Sequence, residues 1–230
     1  MKYFCIGVWK TATTTVGFAL NELVKGPHCG WNIPNRRMHL EGNVNELRKV
    51  IKNHRTFDDT PWNTMKMIHI VKDEYPDSKF VLTERDPCEW IDSMIQWNFD
   101  DIAHPMIGHL YTKDNVKRVK VVMTKKEIEE QRLISPVYRM YKEELEFFDF
   151  KLRRMEVLSR NKDAWIAWRY TRKKYLQNLL GDRLLTIKFG KDKPLSWELL
   201  STWINKHNPD VKVRKGKMKK YNSNKIKPEK

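Results

Sequence analysis

Gly7-Val8-Trp9-Lys10-Thr11-Ala12-Thr13-Thr14-Thr15 is the stretch on which the fold turns. Upstream, residues 2–8 form an apolar run of strand length, which predicts a buried β-strand. Downstream, residues 14–25 carry a helical period, with Gly26-Pro27 as its stop. A strand-to-helix junction presents unpaired backbone N–H groups at the positive end of the helix dipole. Lys10 adds a mobile cation, and Thr13, Thr14 and Thr15 add hydroxyl donors in the first turn. Together these suit a phosphate or a similar oxyanion. The stretch is not a Walker A loop, in which Gly stands directly before Lys; here Trp9 does. A Thr-rich start to an ordinary helix, with Lys10 in solvent, is the plainer alternative.

Reading outward, helices are expected over 43–53, 62–74 and 87–97, the last with Pro87 in its first turn. Phe57-Asp58-Asp59-Thr60-Pro61 reads as a turn. Lys79-Phe80-Val81-Leu82-Thr83 reads as a second buried strand and Arg183-Leu184-Leu185-Thr186-Ile187 as a third. Residues 125–180 look almost wholly helical, with Gly181 as the stop, and a last helix is expected over 195–207. Alternating strands and helices predict an α/β fold, a parallel sheet flanked by helices. The domain reading is one α/β domain over 1–205. Residues 98–160 are a helical insertion or lid within it, and residues 206–230 a basic tail.

The 230 residues suit one domain, and 40% hydrophobic residues can build a core. No apolar run reaches the roughly 20 residues of a membrane span. The first eight residues are too short for a signal segment, so the expected compartment is the cytosol. Cys5, Cys29 and Cys88 form no CxxC pair, which argues against a zinc ribbon or a disulfide framework. The net charge is +16, and residues 206–230 hold ten Lys or Arg against Asp210 and Glu229. Such charge favours anionic company: nucleic acid, nucleotide phosphates, an acidic polymer or a membrane surface. A solvated tail that aids solubility is the alternative.

A second segment strengthens the anion-binding reading: Lys79-Phe80-Val81-Leu82-Thr83-Glu84-Arg85-Asp86-Pro87, with Ser93 two turns into the next helix. Ligands of open α/β sheets bind at the carboxyl ends of the strands. Arg85 and Ser93 therefore suit a second anion; a surface pair of Arg85 with Asp86 or Glu89 is the alternative.

The two segments together resemble sulfotransferases that use 3′-phosphoadenosine-5′-phosphosulfate (PAPS) and release 3′,5′-ADP (PAP). Lys10-Thr11-Ala12-Thr13-Thr14-Thr15 resembles that family's 5′-phosphosulfate loop, commonly KTGTTS or RTGTTS. Arg85, with Ser93 eight residues on, resembles its 3′-phosphate segment. Tyr75 to Pro87 is similar to the YPdaKfiLTxRDP stretch of one broad branch, and Asp59-Thr60-Pro61 stands where that branch often has Asp-x-Pro. The resemblance is clear over 1–97, weaker over 163–205 and absent over 98–160.

It implies a P-loop NTPase-like three-layer sandwich, with Lys10 and the loop through Thr15 on the 5′ side of the nucleotide. Arg85 and Ser93 would hold the 3′-phosphate. Arg214-Lys215-Gly216 resembles the C-terminal RKG that helps clamp that phosphate in the cytosolic branch. By the same resemblance Lys10 would be the catalytic cation and Asp59 is the first candidate for general base, with Asp58, His39 and His54 as alternatives; Asp59 also suits a turn or a helix cap. The histidines at 28, 69, 104, 109 and 207 are read as incidental, and Trp165 and Trp168 as core.

Two departures stand out. Ala12 replaces the usual Gly, and a positive φ there would strain it and weaken nucleotide binding. No Lys-Thr-His segment supplies the catalytic histidine of the cytosolic branch. The expected acceptor is a hydroxyl or amine on a small molecule or glycan, anionic acceptors being drawn by the charge. No metal is expected. Competing readings are a basic nucleic-acid-binding protein, a nucleotide kinase, and a family member that binds nucleotide without activity.

Overall fold

The computed structural model describes residues 1–100, 162–190 and 192–218. They form two compact units, one of residues 1–32, 45–86 and 182–230, the other of residues 33–44 and 87–181. Most of the expected insertion over 98–160 lies outside the described residues.

The first unit is built on a parallel sheet. Its strands are β1 (Tyr3–Cys5), β2 (His28–Cys29), β3 (Thr56–Asp58), β4 (Lys79–Arg85) and β5 (Leu184–Phe189), in the order β2-β3-β1-β4-β5. Alternating side chains go to opposite faces. Tyr3, Cys5, Val81 and Ile187 join Val16, Ala19, Leu20, Leu23 and Val24 of α1 (Thr13–Val24), and Leu200 and Ile204 of the C-terminal helix Trp197–His207. On the other face Phe4 stacks on Phe57 at 4.3 Å and on Phe80 at 5.7 Å, and Trp62 meets Phe57 edge-on. These rings are register neighbours, Phe4 pairing with Phe57 on one side and Phe80 on the other. Flanking helices α3 (Val44–Asn53) and α4 (Met65–Glu74) add buried Leu47, Ile51, Met67, Ile68 and Val71. The result is the expected α/β sandwich with a parallel central sheet.

The second unit holds α2 (Ile33–Leu40), α5 (Pro87–Asp100) and α6 (Lys162–Leu180). Trp165 is buried and lies edge-on to both Trp90 and Trp168, as core residues do. The Arg169 guanidinium sits 4.5 Å from the Trp90 ring. The C-terminal helix Trp197–His207 of the first unit is α7 from here on.

Two expectations are corrected. Among the described residues five strands stand where three were read, because β2 and β3 are only two and three residues long. Residues 57–61 are therefore not all turn: Phe57 and Asp58 belong to β3, and the turn begins at Asp59. The stretch after Lys206 is also packed over its described part. Val211 and Met218 are buried, Met218 N donates to Leu195 O at 3.0 Å, and Lys217 bridges Ser196.

Candidate active site

Parallel strands in register bring their carboxyl ends to one edge, about 4.8 Å apart from strand to strand. The loop Gly7–Ala12 leaves that edge from β1, the central strand. The Asp59 turn leaves it from β3 on one side, and Arg85 ends β4 on the other.

The loop is held from within. Thr11 is fully buried; its hydroxyl donates to Val8 O and lies 2.8 Å from Thr83 Oγ1 on β4. A methyl group at Gly7 would overlap both the Thr83 and the Thr11 hydroxyls, so only glycine fits. Lys10 and Ala12 both take left-handed backbone, at φ 59° and 62°. Ala12 is the N-cap of α1 yet offers no side-chain cap, and the first turn carries no acidic residue. The first-turn N–H groups have no intrahelical acceptors, so this end is shaped for an anion. Thr13 and Thr15 are buried, while Thr14 and Lys10 are half-exposed.

Asp59 is half-buried and also left-handed, at φ 61°. Its Oδ1 accepts from Thr60 N at 2.8 Å, and its carbonyl accepts from Asn63 N at 3.1 Å. Of the four non-glycine residues with positive φ among the described residues, three therefore lie in these two turns. Such backbone costs on the order of 1 kcal/mol or more per residue and gathers at functional sites.

The alternatives to Asp59 lie elsewhere. Asp58 is buried on the α1 side, where its Oδ1 stands 3.5 Å from His28 Nε2. The other His28 nitrogen bonds Thr56 Oγ1 at 3.0 Å. Burial pushes the Asp58 carboxyl up, against the lowering effect of His28. His28, read as incidental, thus partners a buried acid, and no sequence spacing announced it. His54 precedes β3 at the amino edge, its Nδ1 on Val50 O. His39 is buried in the second unit. Burial also pushes the Cys5 thiol far up, with the Asp58 charge adding to it, which leaves Cys5 an inert core residue.

Arg85 is half-buried, its guanidinium 6.0 Å from the Phe189 ring. Ser93 lies on α5 in the second unit and is half-buried there. The 214–216 triplet is placed differently. Arg214 pairs with Glu22 and lies 5.2 Å from the Trp197 ring, while its backbone N donates to Ser201 Oγ at 2.8 Å. Glu22 is eight residues along α1 from Thr14, roughly 12 Å at 1.5 Å per residue. Lys215 and Gly216 are exposed, and Gly216 O accepts from Trp197 N.

The family model for a sulfotransferase domain matches residues 2–219. The chain belongs to the sulfotransferase family. A comparison with curated proteins gives no match. Membership makes the chain a transferase domain of the sulfuryl-transfer class, and it covers the β1–α1 loop, the Asp59 turn and Arg85 alike. Among the described residues of this sulfotransferase, no three His, Cys, Asp or Glu side chains converge as metal ligands, and no helix is long and apolar enough to cross a membrane.

Proposed function

We propose that the chain transfers a sulfuryl group from PAPS to a hydroxyl or amine acceptor, and that it does so at the carboxyl edge of β3, β1 and β4. The observation that carries this reading is the β1–α1 loop: a glycine no larger residue can replace, left-handed Lys10 and Ala12, and a helix start without a side-chain cap. These features fit the 5′-phosphosulfate end of the nucleotide. PAPS, when bound, supplies a sulfuryl group joined to a good leaving phosphate.

The loop amides with Thr13, Thr14 and Thr15 hold the 5′-phosphate. Lys10 meets the negative charge that grows on the bridging oxygen as the S–O bond breaks. Asp59 orients the acceptor and takes its proton as the acceptor oxygen or nitrogen bonds to sulfur. Arg85 binds the 3′-phosphate, and Ser93 is the serine that the family resemblance assigns to that phosphate. Thr11 and Ala12 act through the shape of the loop. The Arg214–Gly216 triplet packs α7 against α1 in this reading. The net charge of +16 favours an anionic acceptor such as an acidic glycan or a charged small molecule.

Calorimetric titration of 3′,5′-ADP tests the reading. Saturable binding that Arg85→Ala abolishes and Lys10→Ala weakens supports it. Absence of binding at moderate salt overturns it and turns attention to nucleic acid, whose binding would fall steeply with salt.

A further inference from the structure

We propose that Asn63 is a positioning residue for the transfer: it ties the Asp59 turn to the phosphate loop and so fixes the acceptor's base against the donor. The proposal rests on the PAPS reading above. Asn63 is buried, and its side chain reaches across two strands' ends. Nδ2 donates to Gly7 O at 3.1 Å, joining residues 56 apart in the chain. Oδ1 accepts from Thr60 Oγ1 at 3.3 Å, and the backbone N donates to Asp59 O at 3.1 Å. One residue thus holds the first residue of the loop, and both Asp59 and Thr60 of the turn.

The position of this tie gives it its meaning. The β1–β3 register ends at the Cys5–Asp58 pair, and Ile6 N then donates to Val81 O on the β4 side. The Asn63 amide supplies a link to the β3 side just past that point. On the other flank, the Thr11–Thr83 hydroxyl pair links the same loop to β4, two residues before Arg85. The loop is therefore pinned from both sides, toward the acceptor turn by Asn63 and toward the nucleotide strand by Thr83. Asparagine suits this role because one short side chain both donates to a carbonyl and accepts from a hydroxyl. Aspartate keeps the shape and the acceptor but loses the donor. A displacement of about 1 Å at a reacting group costs on the order of 10²-fold in rate.

The test compares wild type, Asn63→Asp, Thr60→Val, Asp59→Asn and the Asn63→Asp/Asp59→Asn double variant. The probes are PAPS as donor with 4-nitrophenol as acceptor, water serving as acceptor where the phenol is refused. Turnover, the 3′,5′-ADP dissociation constant and the thermal midpoint are measured for each. Asn63→Asp is expected to lose about 10²-fold in kcat, with 3′,5′-ADP affinity within about threefold of wild type. The double variant is expected to be no slower than Asp59→Asn alone, because Asn63 acts through Asp59. Should Asn63→Asp not fold, Thr60→Val carries the same comparison with a smaller loss. Additive losses, a parallel fall in nucleotide affinity, or an unchanged kcat would each overturn the positioning role while the PAPS reading stands. A wild type that binds 3′,5′-ADP but turns over no PAPS overturns the positioning role and leaves a nucleotide-binding family member. A wild type that binds none overturns both.

Discussion

The chain carries two short segments that both resemble nucleotide-binding motifs, Lys10–Thr15 and Arg214–Gly216, and their surroundings differ. The first is a left-handed turn at the carboxyl edge, locked by Thr11, Thr83 and Asn63 and ending in a helix start without a side-chain cap. The second lies along α7, with its arginine paired to Glu22 and stacked near Trp197. On the proposed reading, a basic residue beside a glycine is not enough for an anion site, and what sets the loop apart is left-handed backbone held by buried hydrogen bonds at a helix start.

Lys10→Ala should show the largest effect. Loss of one preorganised cation at the leaving group typically removes about 10²–10³ in rate. PAPS turnover under saturating donor measures it. A loss under tenfold would place Lys10 in solvent and bring the loop down to the level of the triplet.

The wall of the loop helix comes next. A methyl group at Gly17 would overlap the Asp58 carboxylate, which is buried and faces His28. Gly17→Ala should therefore destabilise the first unit by roughly 1–3 kcal/mol, read by denaturant unfolding. Asp58 itself gives a pH signature. Its folded pKa is raised by burial, so its contribution to stability is full below the ordinary carboxylate range and is lost as pH rises through the folded value. His28 and Cys5 are the titratable groups that interact with it. Asp58→Asn should flatten that decline in a series of melts from about pH 4 upward. An unchanged slope would show that Asp58 is not its source.

How far the sequence reveals this comparison depends on the kind of signal. β1, β4 and β5 were legible as apolar runs, and α1 as a period with a Gly-Pro stop. β2 and β3 were not, because two or three residues form no pattern, and β3 shares its last residues with what reads as a turn. That Lys10 and Arg85 stand at the carboxyl edge was legible from the strands before them, whereas Asp59 was singled out by the Asp-x-Pro resemblance and not by its strand. Asn63 and His28 were not, since each works through a partner 28 or 56 residues away. The Arg214–Glu22 pair was illegible for the same reason, its partners lying 192 residues apart.

Ala12→Gly is a smaller effect of opposite sign. Alanine at φ 62° carries left-handed strain of roughly 1 kcal/mol, which glycine relieves. The more flexible unfolded chain offsets part of that gain, by about 0.4–1 kcal/mol. The expected outcome is a stability equal to or slightly above wild type, with 3′,5′-ADP affinity unchanged or tighter. A weaker nucleotide complex would mean that the Ala12 methyl itself packs on the ligand.

Arg214→Ala should do little to nucleotide binding, and it is the sharpest attack on the contrast. The Arg214–Glu22 pair is partly exposed, with 39% and 48% of the two side chains accessible. Pairs of that kind contribute about 0–1 kcal/mol, and the stacking on Trp197 adds a similar amount. Stability should fall by no more than about 1–2 kcal/mol, with 3′,5′-ADP affinity within about threefold of wild type. Glu22→Ala run beside it separates the two possible meanings of any larger effect. If Arg214→Ala abolishes nucleotide binding while Glu22→Ala strengthens it, the pair is a latch that releases the arginine to the 3′-phosphate. The triplet and the loop would then be two halves of one anion site rather than opposites. If both variants leave binding alone, the arginine belongs to the packing of α7 on α1, and the loop carries the recognition of the 5′ end without it.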